Sequence, residues 1–563
     1  MRILLLTHSF NSLAQRLFVE LEAAGHKVSV EFDINDAVTE EAVLLFEPAC
    51  LVAPFLKRAI PESVWRRLPC FIVHPGIIGD RGPSALDWAI VKGVPRWGVT
   101  VLQAEREMDA GPVWATAGFK MRDATKSSLY RNEVTEAAVR AVLNALHRFE
   151  NASFVPERPA LSEWRPAVTQ ADRAIAWNRD GTEAVLRKIR SADGHPGVKS
   201  RLNGRTVYLY DAHPADLKGE PGEILAVSGP AIAVATANGA VWIGRLRDTA
   251  SAHPFKLPAT QVLQSSIDGV RVLPAGDAGA YSEICYEEEG GAGFLQFRFY
   301  NGAMGTAACE RLIAAYRAAL LRPTRVLALM GGPDFWSNGM DLNLIEAAAS
   351  PADESWRNIN AIDDLAEAIL RTVDRLVIAA LQGNAGAGGV FLARACDEMW
   401  LRRGTVLSPH YKDMGNLYGS EFWTYSLPKH SGTQPAASIM SRRLPMGASG
   451  ALRIGLADEC FGGTVQEFTN GVRKRAIALA AAPELDQRIA SKKAARAADE
   501  AMKPLSAYRE EELARLQLNF YGFDPSYHVA RYNFVRKVPK SRTPPTIARH
   551  RDRRLRDCER IAP

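Results

Sequence analysis

The strongest constraint on this chain is a change of period along it. Residues 1–120 alternate short apolar runs with amphipathic stretches: RILLLT, LAQRLFVELEAAG, KVSVEF, CLVAPFL and CFIVHPG. Short apolar runs bounded by turn residues read as buried strands, and the stretch between the first two carries apolar residues at helical spacing and closes at Gly25. Alternation of strand and helix implies a parallel sheet, because parallel neighbours need a crossover. From about residue 156 the pattern becomes short strands and turns, GRTVYLYDA, GEILAVS and AIAVATANGAVWIGRLR, with Asn238-Gly239 as a hairpin signal. At FLQFRFYNG, from Phe294, strand–helix alternation returns. One core cannot follow three patterns, and 563 residues exceed what one core organises. The expected fold is therefore multidomain α/β. The expected boundaries are a first α/β domain over 1–155, a small β-barrel-like domain over 156–274, a linker running into a first strand over 275–293, a second α/β domain over 294–470, and a helical extension with a basic tail over 471–563.

Charge enters the argument only at the end of the chain. The formal net charge is +6, yet the residues from Arg536 onward carry ten Lys or Arg against three Asp or Glu. A basic tail suits nucleic acid or the phosphates of a cofactor. No aromatic-rich RNA-binding motif accompanies it, so a solvated or docked arm is the reading adopted, and no nucleic-acid partner is expected. No apolar run reaches the roughly 18 residues of a membrane span, so no membrane partner is expected either. The start, MRILLLTHSF, reads as a first strand rather than a signal peptide. Seven cysteines stand singly with no CxxC, which fits reduced thiols in a cytoplasm and predicts no metal site.

Two stretches carry chemistry in the first domain. FIVHPGIIGDRGPSALDWAI puts His74 where an apolar run opens into a Gly- and Pro-rich loop, and GVTVLQAEREMDAGPVW puts Asp109 before a second Gly-Pro turn. Strand ends of α/β sheets are where ligands bind. A carboxylate near an imidazole sets its tautomer and charge, which suits the pair to general acid–base work. The two motifs resemble those of the transferases and hydrolases that use 10-formyltetrahydrofolate, over roughly residues 1–245. The resemblance implies a Rossmann-like formyltransferase domain, a small OB-like barrel including PGEIL and IAVATANGAVWI, and catalytic roles for His74 and Asp109. It places the folate against Ala53, Phe55 and Leu56 and against the loop from Gln103 to Met108. One position departs from the family: its Asn, two residues before the His, donates to the developing oxyanion, and here it is Ile72.

A second pair of motifs lies in the later α/β region. GGPDFWSNGMDL (331–342) and QGNAGAGGVFLARACD (382–397) each set a Gly-rich turn after an apolar strand. Amides exposed at such turns, one of them at a helix start, stabilise an oxyanion. The pair resembles the crotonase, or enoyl-CoA hydratase, superfamily over about 294–465, which implies its ββα spiral and a coenzyme A thioester as ligand. By that resemblance the oxyanion-hole amides belong to Met340 and Gly388, and Asn338 and Arg298 are further coenzyme A contacts. The hydratases add water with two Glu residues. Those positions hold Phe391 and Tyr411 here, which argues against hydration. The stretch SPHYKDMGNLYGSEFWTYS offers His410, Tyr411, Tyr418 and Glu421 for proton transfer, with Tyr411 and Glu421 preferred.

A formyl-folate half followed by a coenzyme A half resembles the HoxX-type maturation proteins of nickel–iron hydrogenases. That resemblance implies formyl transfer from 10-formyltetrahydrofolate to coenzyme A, decarbonylation of the formyl-CoA to carbon monoxide, and hydrogenase maturation proteins as partners that receive it. A formyltransferase that releases formyl-CoA, a deformylase, and a folate- and CoA-sensing scaffold without catalysis stay open as alternatives.

Overall fold

The computed structural model describes residues 1–151, 153–160 and 162–552. The chain forms two compact units, one of Met1–Tyr281 with the segment from Pro539 onward, the other of Ser282–Val538.

The first unit opens with a six-stranded sheet in the order Lys27–Phe32, Arg2–Thr7, Cys50–Phe55, Cys70–His74, Arg96–Gln103, Val113–Lys120. The first four strands are parallel, and the last two join as an antiparallel hairpin. The helices Ser12–Ala23 and Asp36–Phe46 are the crossovers, each started by an Asn side chain that accepts an orphan N–H of the first turn. Because His74 ends a central strand, its side chain emerges at the sheet's C-terminal edge, and a mere 4% of the residue is exposed. A second sheet is all antiparallel, in the order Ile224–Ser228, Ala231–Ala235, Ala240–Arg247, Arg205–Ala215, Val198–Leu202. Its path is open, as in a partly open barrel, and the helix Thr182–Ala192 buries Val185, Leu186 and Ile189 against its inner residues.

In the second unit the sequence alternation sorts residues onto two faces. A six-stranded sheet runs Ile284–Glu289, Ala292–Phe297, Val326–Met330, Leu376–Leu381, Glu398–Arg402, Glu459–Phe461. All pairs after the first are parallel. Leu327, Leu329, Val377 and Ala379 face one core, and Ala328, Met330, Ile378 and Ala380 the other, which is why these strands are apolar throughout. A smaller sheet collects the next strand of three successive turns, Phe335–Ser337, Asn384–Gly386 and Val406–Ser408, with Met446–Gly447 added antiparallel at its edge. Each of these three turns thus adds a strand to both sheets, the first two closing with the helices Pro351–Arg371 and Gly388–Arg394. The segment read as linker and first strand holds the whole strand Ile284–Glu289 and pairs it as a hairpin with Ala292–Phe297.

The region read as one helical extension divides. The helices Val465–Ala480, Leu485–Met502, Leu505–Tyr521 and Ser526–Val535 belong to the second unit, and the chain from Pro539 to the first. There the tail covers the edge strand Lys27–Phe32. The Val30 N–H donates to the Ile547 carbonyl at 2.9 Å and the Phe32 N–H to the Thr543 hydroxyl at 2.9 Å. Glu31, wholly buried, accepts from His550 Nε2 at 2.9 Å, Arg551 Nε at 2.6 Å and the Thr543 hydroxyl. Burial acts to raise the Glu31 carboxyl, but these donors outweigh it and hold it below its ordinary range. The tail cations Arg549 and Arg551 are thus spent on Glu22, Glu31 and Glu41. The basic residues from 553 onward lie outside the described residues. Among the described residues no helix is long and apolar enough to cross a membrane.

Candidate active sites

The first site is assembled from two turns that tolerate no side chain. A methyl on Gly76 would lie 2.3 Å from His74 Nε2 and 2.6 Å from Asp80 Oδ2, so the chain passes flat over the pair. The Thr100 hydroxyl donates to the Gly76 carbonyl and the Trp97 indole to the Pro75 carbonyl, both at 2.8 Å, which pins that turn. Asp109 sits in the left-handed region at φ 54°, and its Oδ2 accepts the Gly82 N–H at 3.1 Å. His74 Nδ1 faces Asp109 Oδ2 at 3.5 Å, so the structure does bring the expected pair together.

It also adds a residue that sequence reasoning missed. His74 Nε2 lies 2.9 Å from Asp80 Oδ2, and Asp80 Oδ1 lies 3.2 Å from Arg165 Nη1. A carboxylate only accepts, so Asp80 assigns the Nε2 proton to His74 and leaves Nδ1 toward Asp109. The imidazole therefore stands between two acids. The charged DRG inside an otherwise apolar loop was the available signal. Of the expected folate contacts, Ala53 is buried in the core, Phe55 and Leu56 are half-buried at the end of the adjacent strand, Gln103 is half-buried with Oε1 accepting the Trp114 indole at 3.2 Å, and Met108 is exposed. Ile72 points to the same face as His74 and packs on the cluster containing Leu56 and Leu68, so its side chain offers apolar surface where the family has a donor.

The second site forms where the two Gly-rich turns meet. Gly339, at φ 75°, packs beside Gly388: a methyl on it would lie at ordinary contact distance, 3.6 Å, from the Gly388 nitrogen. Gly388 begins the helix Gly388–Arg394, where first-turn amides have no partner within the helix. Neither the Met340 nor the Gly388 N–H has an acceptor among the described residues. Two unpaired donors at adjacent turns suit one carbonyl oxygen. Asn338 is exposed and donates to the Asn301 carbonyl at 2.8 Å. Arg298 is exposed and donates to Gln296 at 2.7 Å.

Glu421 and Tyr411 converge on that point. A methyl on Gly388 would lie 1.9 Å from Glu421 Oε1, so the carboxyl lies directly against the helix start. The Tyr411 hydroxyl donates to Glu421 Oε2 at 2.5 Å, and the Tyr411 ring stacks on Phe391 with centroids 5.3 Å apart. Phe391 and Tyr411, which the resemblance equates with the two Glu positions of hydratases, are therefore neighbours here. Burial and then the charge of Asp363 push Glu421 up to about 8, and burial with the Glu421 charge pushes Tyr411 well above the ordinary phenol. His410 is buried with Nδ1 unpartnered, and burial holds its imidazole below the ordinary value. Tyr418 lies beside Trp423, ring centroids 5.5 Å apart, and its N–H donates to Asn519 at 3.0 Å.

Residues 167–255 match the formyl transferase C-terminal domain, and residues 301–520 match enoyl-CoA hydratase/isomerase. The chain is 56% identical over 559 residues to the hydrogenase maturation factor HoxX of Bradyrhizobium diazoefficiens, covering 98% of each. It is 28% identical over 218 residues to methionyl-tRNA formyltransferase of Variovorax paradoxus, 38% of this chain and 68% of that one. The crystal structure of HypX from Aquifex aeolicus in complex with tetrahydrofolic acid superposes with a TM-score of 0.95 at 49% identity, covering 98% of this chain and 99% of that chain. Both motif resemblances, and the mixed α/β multidomain architecture, are borne out.

Proposed function

The chain belongs to the HoxX/HypX family of hydrogenase maturation factors, and we propose that within it this protein makes carbon monoxide in two steps, formyl transfer from 10-formyltetrahydrofolate to coenzyme A and decarbonylation of the resulting thioester. The carbon monoxide would pass to the hydrogenase maturation machinery of the cytoplasm. The folate supplies the formyl group, and coenzyme A the thiol that receives it. In the first unit Asp80 holds the Nε2 side of His74 and Asp109 lies against its Nδ1, and the His74–Asp109 pair moves the proton between thiol and folate nitrogen.

In the second unit the Met340 and Gly388 amides hold the thioester oxygen. Glu421, as carboxylate, removes the formyl proton, and the Tyr411 hydroxyl, which keeps its proton to high pH, donates toward sulfur. The bookkeeping balances. The C–H electron pair stays on carbon as the lone pair of carbon monoxide, the C–S pair leaves with sulfur, and sulfur gains a proton. Hydration has no place here, since a formyl thioester lacks the carbons to hydrate.

The observation that carries this reading is the Glu421 carboxyl lying on Gly388 with Tyr411 bonded to it and stacked on Phe391. The test supplies purified protein with 10-formyltetrahydrofolate, with and without coenzyme A, and traps carbon monoxide on deoxygenated haemoglobin. Carbon monoxide appearing in step with tetrahydrofolate, and dependent on coenzyme A, is the expected result. Formate or free formyl-CoA without carbon monoxide overturns the second step.

A further inference from the structure

Behind Glu421 lies a buried carboxylate cluster that the proposed chemistry does not use. Asp363, on the helix Pro351–Arg371, and Glu512, on the helix Leu505–Tyr521, are both 0% exposed. The Glu421 N–H donates to Asp363 Oδ1 at 2.9 Å. The Ser420 hydroxyl lies 2.7 Å from Asp363 Oδ2 and 3.1 Å from Glu512 Oε2. Glu512 also accepts the Phe422 N–H at 3.0 Å, the Thr424 N–H at 2.9 Å and the Thr424 hydroxyl at 2.5 Å, which caps the helix Trp423–Ser431 from outside it.

These bonds hold a conformation the backbone resists. Glu421 and Phe422 are both left-handed, at φ 62° and 57°, which side chains of this size rarely adopt. The two acids therefore have separable tasks. Glu512 anchors the helix start after the kink. Asp363 bonds Glu421 itself and carries a charge within reach of its carboxyl.

We propose that Asp363 is a positioning residue of the thioester site: through the Glu421 N–H it holds the left-handed Glu421 over Gly388, with its own carboxylate buried behind that residue. The negative charge of Asp363 adds to burial in disfavouring the Glu421 carboxylate. The inference rests on the proposed role of Glu421. The groups that face Glu421 are Tyr411 from the loop after Val406–Ser408, Asp363, Glu512, and the buried Cys309 of the helix Thr306–Leu320. Arg509 is a cation that acts on Asp363, and its Nη2 is paired with Asp364 at 2.7 Å. No cation bonds Glu421 directly among the described residues, so the balance of its neighbours is negative and favours the protonated acid.

Asp363→Asn tests this with little structural disturbance. The amide oxygen accepts the Glu421 N–H, the amide N–H₂ donates to the Ser420 oxygen, and the Ser420 proton then serves Glu512. The readout is the infrared C=O stretch of the protonated Glu421 carboxyl, assigned by its loss in Glu421→Gln and titrated against pH in the full chain. The expected result is a midpoint lower by about one pH unit in Asp363→Asn, with the pH at which carbon monoxide release rises moving down alongside it. An unmoved midpoint overturns the proposal. A midpoint that moves while neither protein releases carbon monoxide leaves the positioning role standing and removes the proposed reaction. If Asp363→Asn melts too low to study, Asp363→Ser keeps an acceptor near the Glu421 N–H without the charge and must lower the midpoint in the same way.

Discussion

Glu421 occupies the space that a side chain on Gly388 would need, its Oε1 standing 1.9 Å from where a Cβ would be. The contact makes Gly388→Ala a specific perturbation. The new methyl must displace the carboxyl from the helix start, so carbon monoxide release should fall by about 100-fold or more. Tetrahydrofolate formation, which the proposal assigns to the first unit, should continue. A Gly388→Ala protein that releases carbon monoxide at the normal rate would refute the assigned oxyanion site.

Tyr411→Phe keeps the ring stacked on Phe391 and removes the hydroxyl bonded to Glu421. The thioester step should slow by about 100-fold. Its loss as a neighbour also strips Glu421 of a donor that favours the carboxylate, so the remaining activity should rise at higher pH than in the wild type. Stopped assays of carbon monoxide across pH 6–10 check both effects.

In Asp80→Asn the amide oxygen stays with Arg165, which only donates, so the carboxylate oxygen that faces His74 Nε2 is replaced by N–H₂. That group presents a donor to the imidazole, and the preferred tautomer reverses. Tetrahydrofolate formation should drop by about 100-fold in kcat with KM for the folate little changed. A rise in KM alone would make Asp80 a binding residue.

Glu31→Gln weakens the tail clamp by taking the charge from the His550, Thr543 and Arg551 bonds. Charged hydrogen bonds of this kind contribute about 2 kcal/mol, so the undocked population should grow roughly 30-fold and tryptic cleavage near Arg549 and Arg551 should accelerate. The wild-type clamp has a definite pH dependence. The Glu31 carboxyl is held below its unfolded value, so its contribution is present above the ordinary carboxylate range and is lost as pH falls through the lower folded value. Trypsin-independent detection, such as hydrogen exchange of Val30 and Phe32, should show the edge strand opening in acid.

Much of the molecule is written in local pattern. Fully apolar runs such as VLALM and LVIAAL announce strands buried on both faces, and the two cores divide their residues alternately, as period two requires. His74, Asp109, Met340 and Gly388 are legible in the sequence because each lies in or beside a glycine-containing turn that follows an apolar run. Asp80 was less so, since one acid in a loop is usually solvated. Asp363 and Glu512 were hidden for a stronger reason. Each sits on an amphipathic helix among other charges, in NAIDDLAEAIL and YREEELARLQL, where an acidic residue reads as part of a wet face. Tertiary packing buries those two and leaves Asp364 and Glu511 at the surface.

The same division holds for the C-terminal tail. Its charge was plain in the sequence, but the acid it answers, Glu31, lies on the edge strand Lys27–Phe32 near the other end of the chain. Local sequence determined which segments are strands, helices and reactive turns, because those depend on side-chain period and on backbone freedom at single residues. Tertiary structure alone decided which distant carboxylates share a dry site, because the energy of a buried charge depends on neighbours that chain separation does not record.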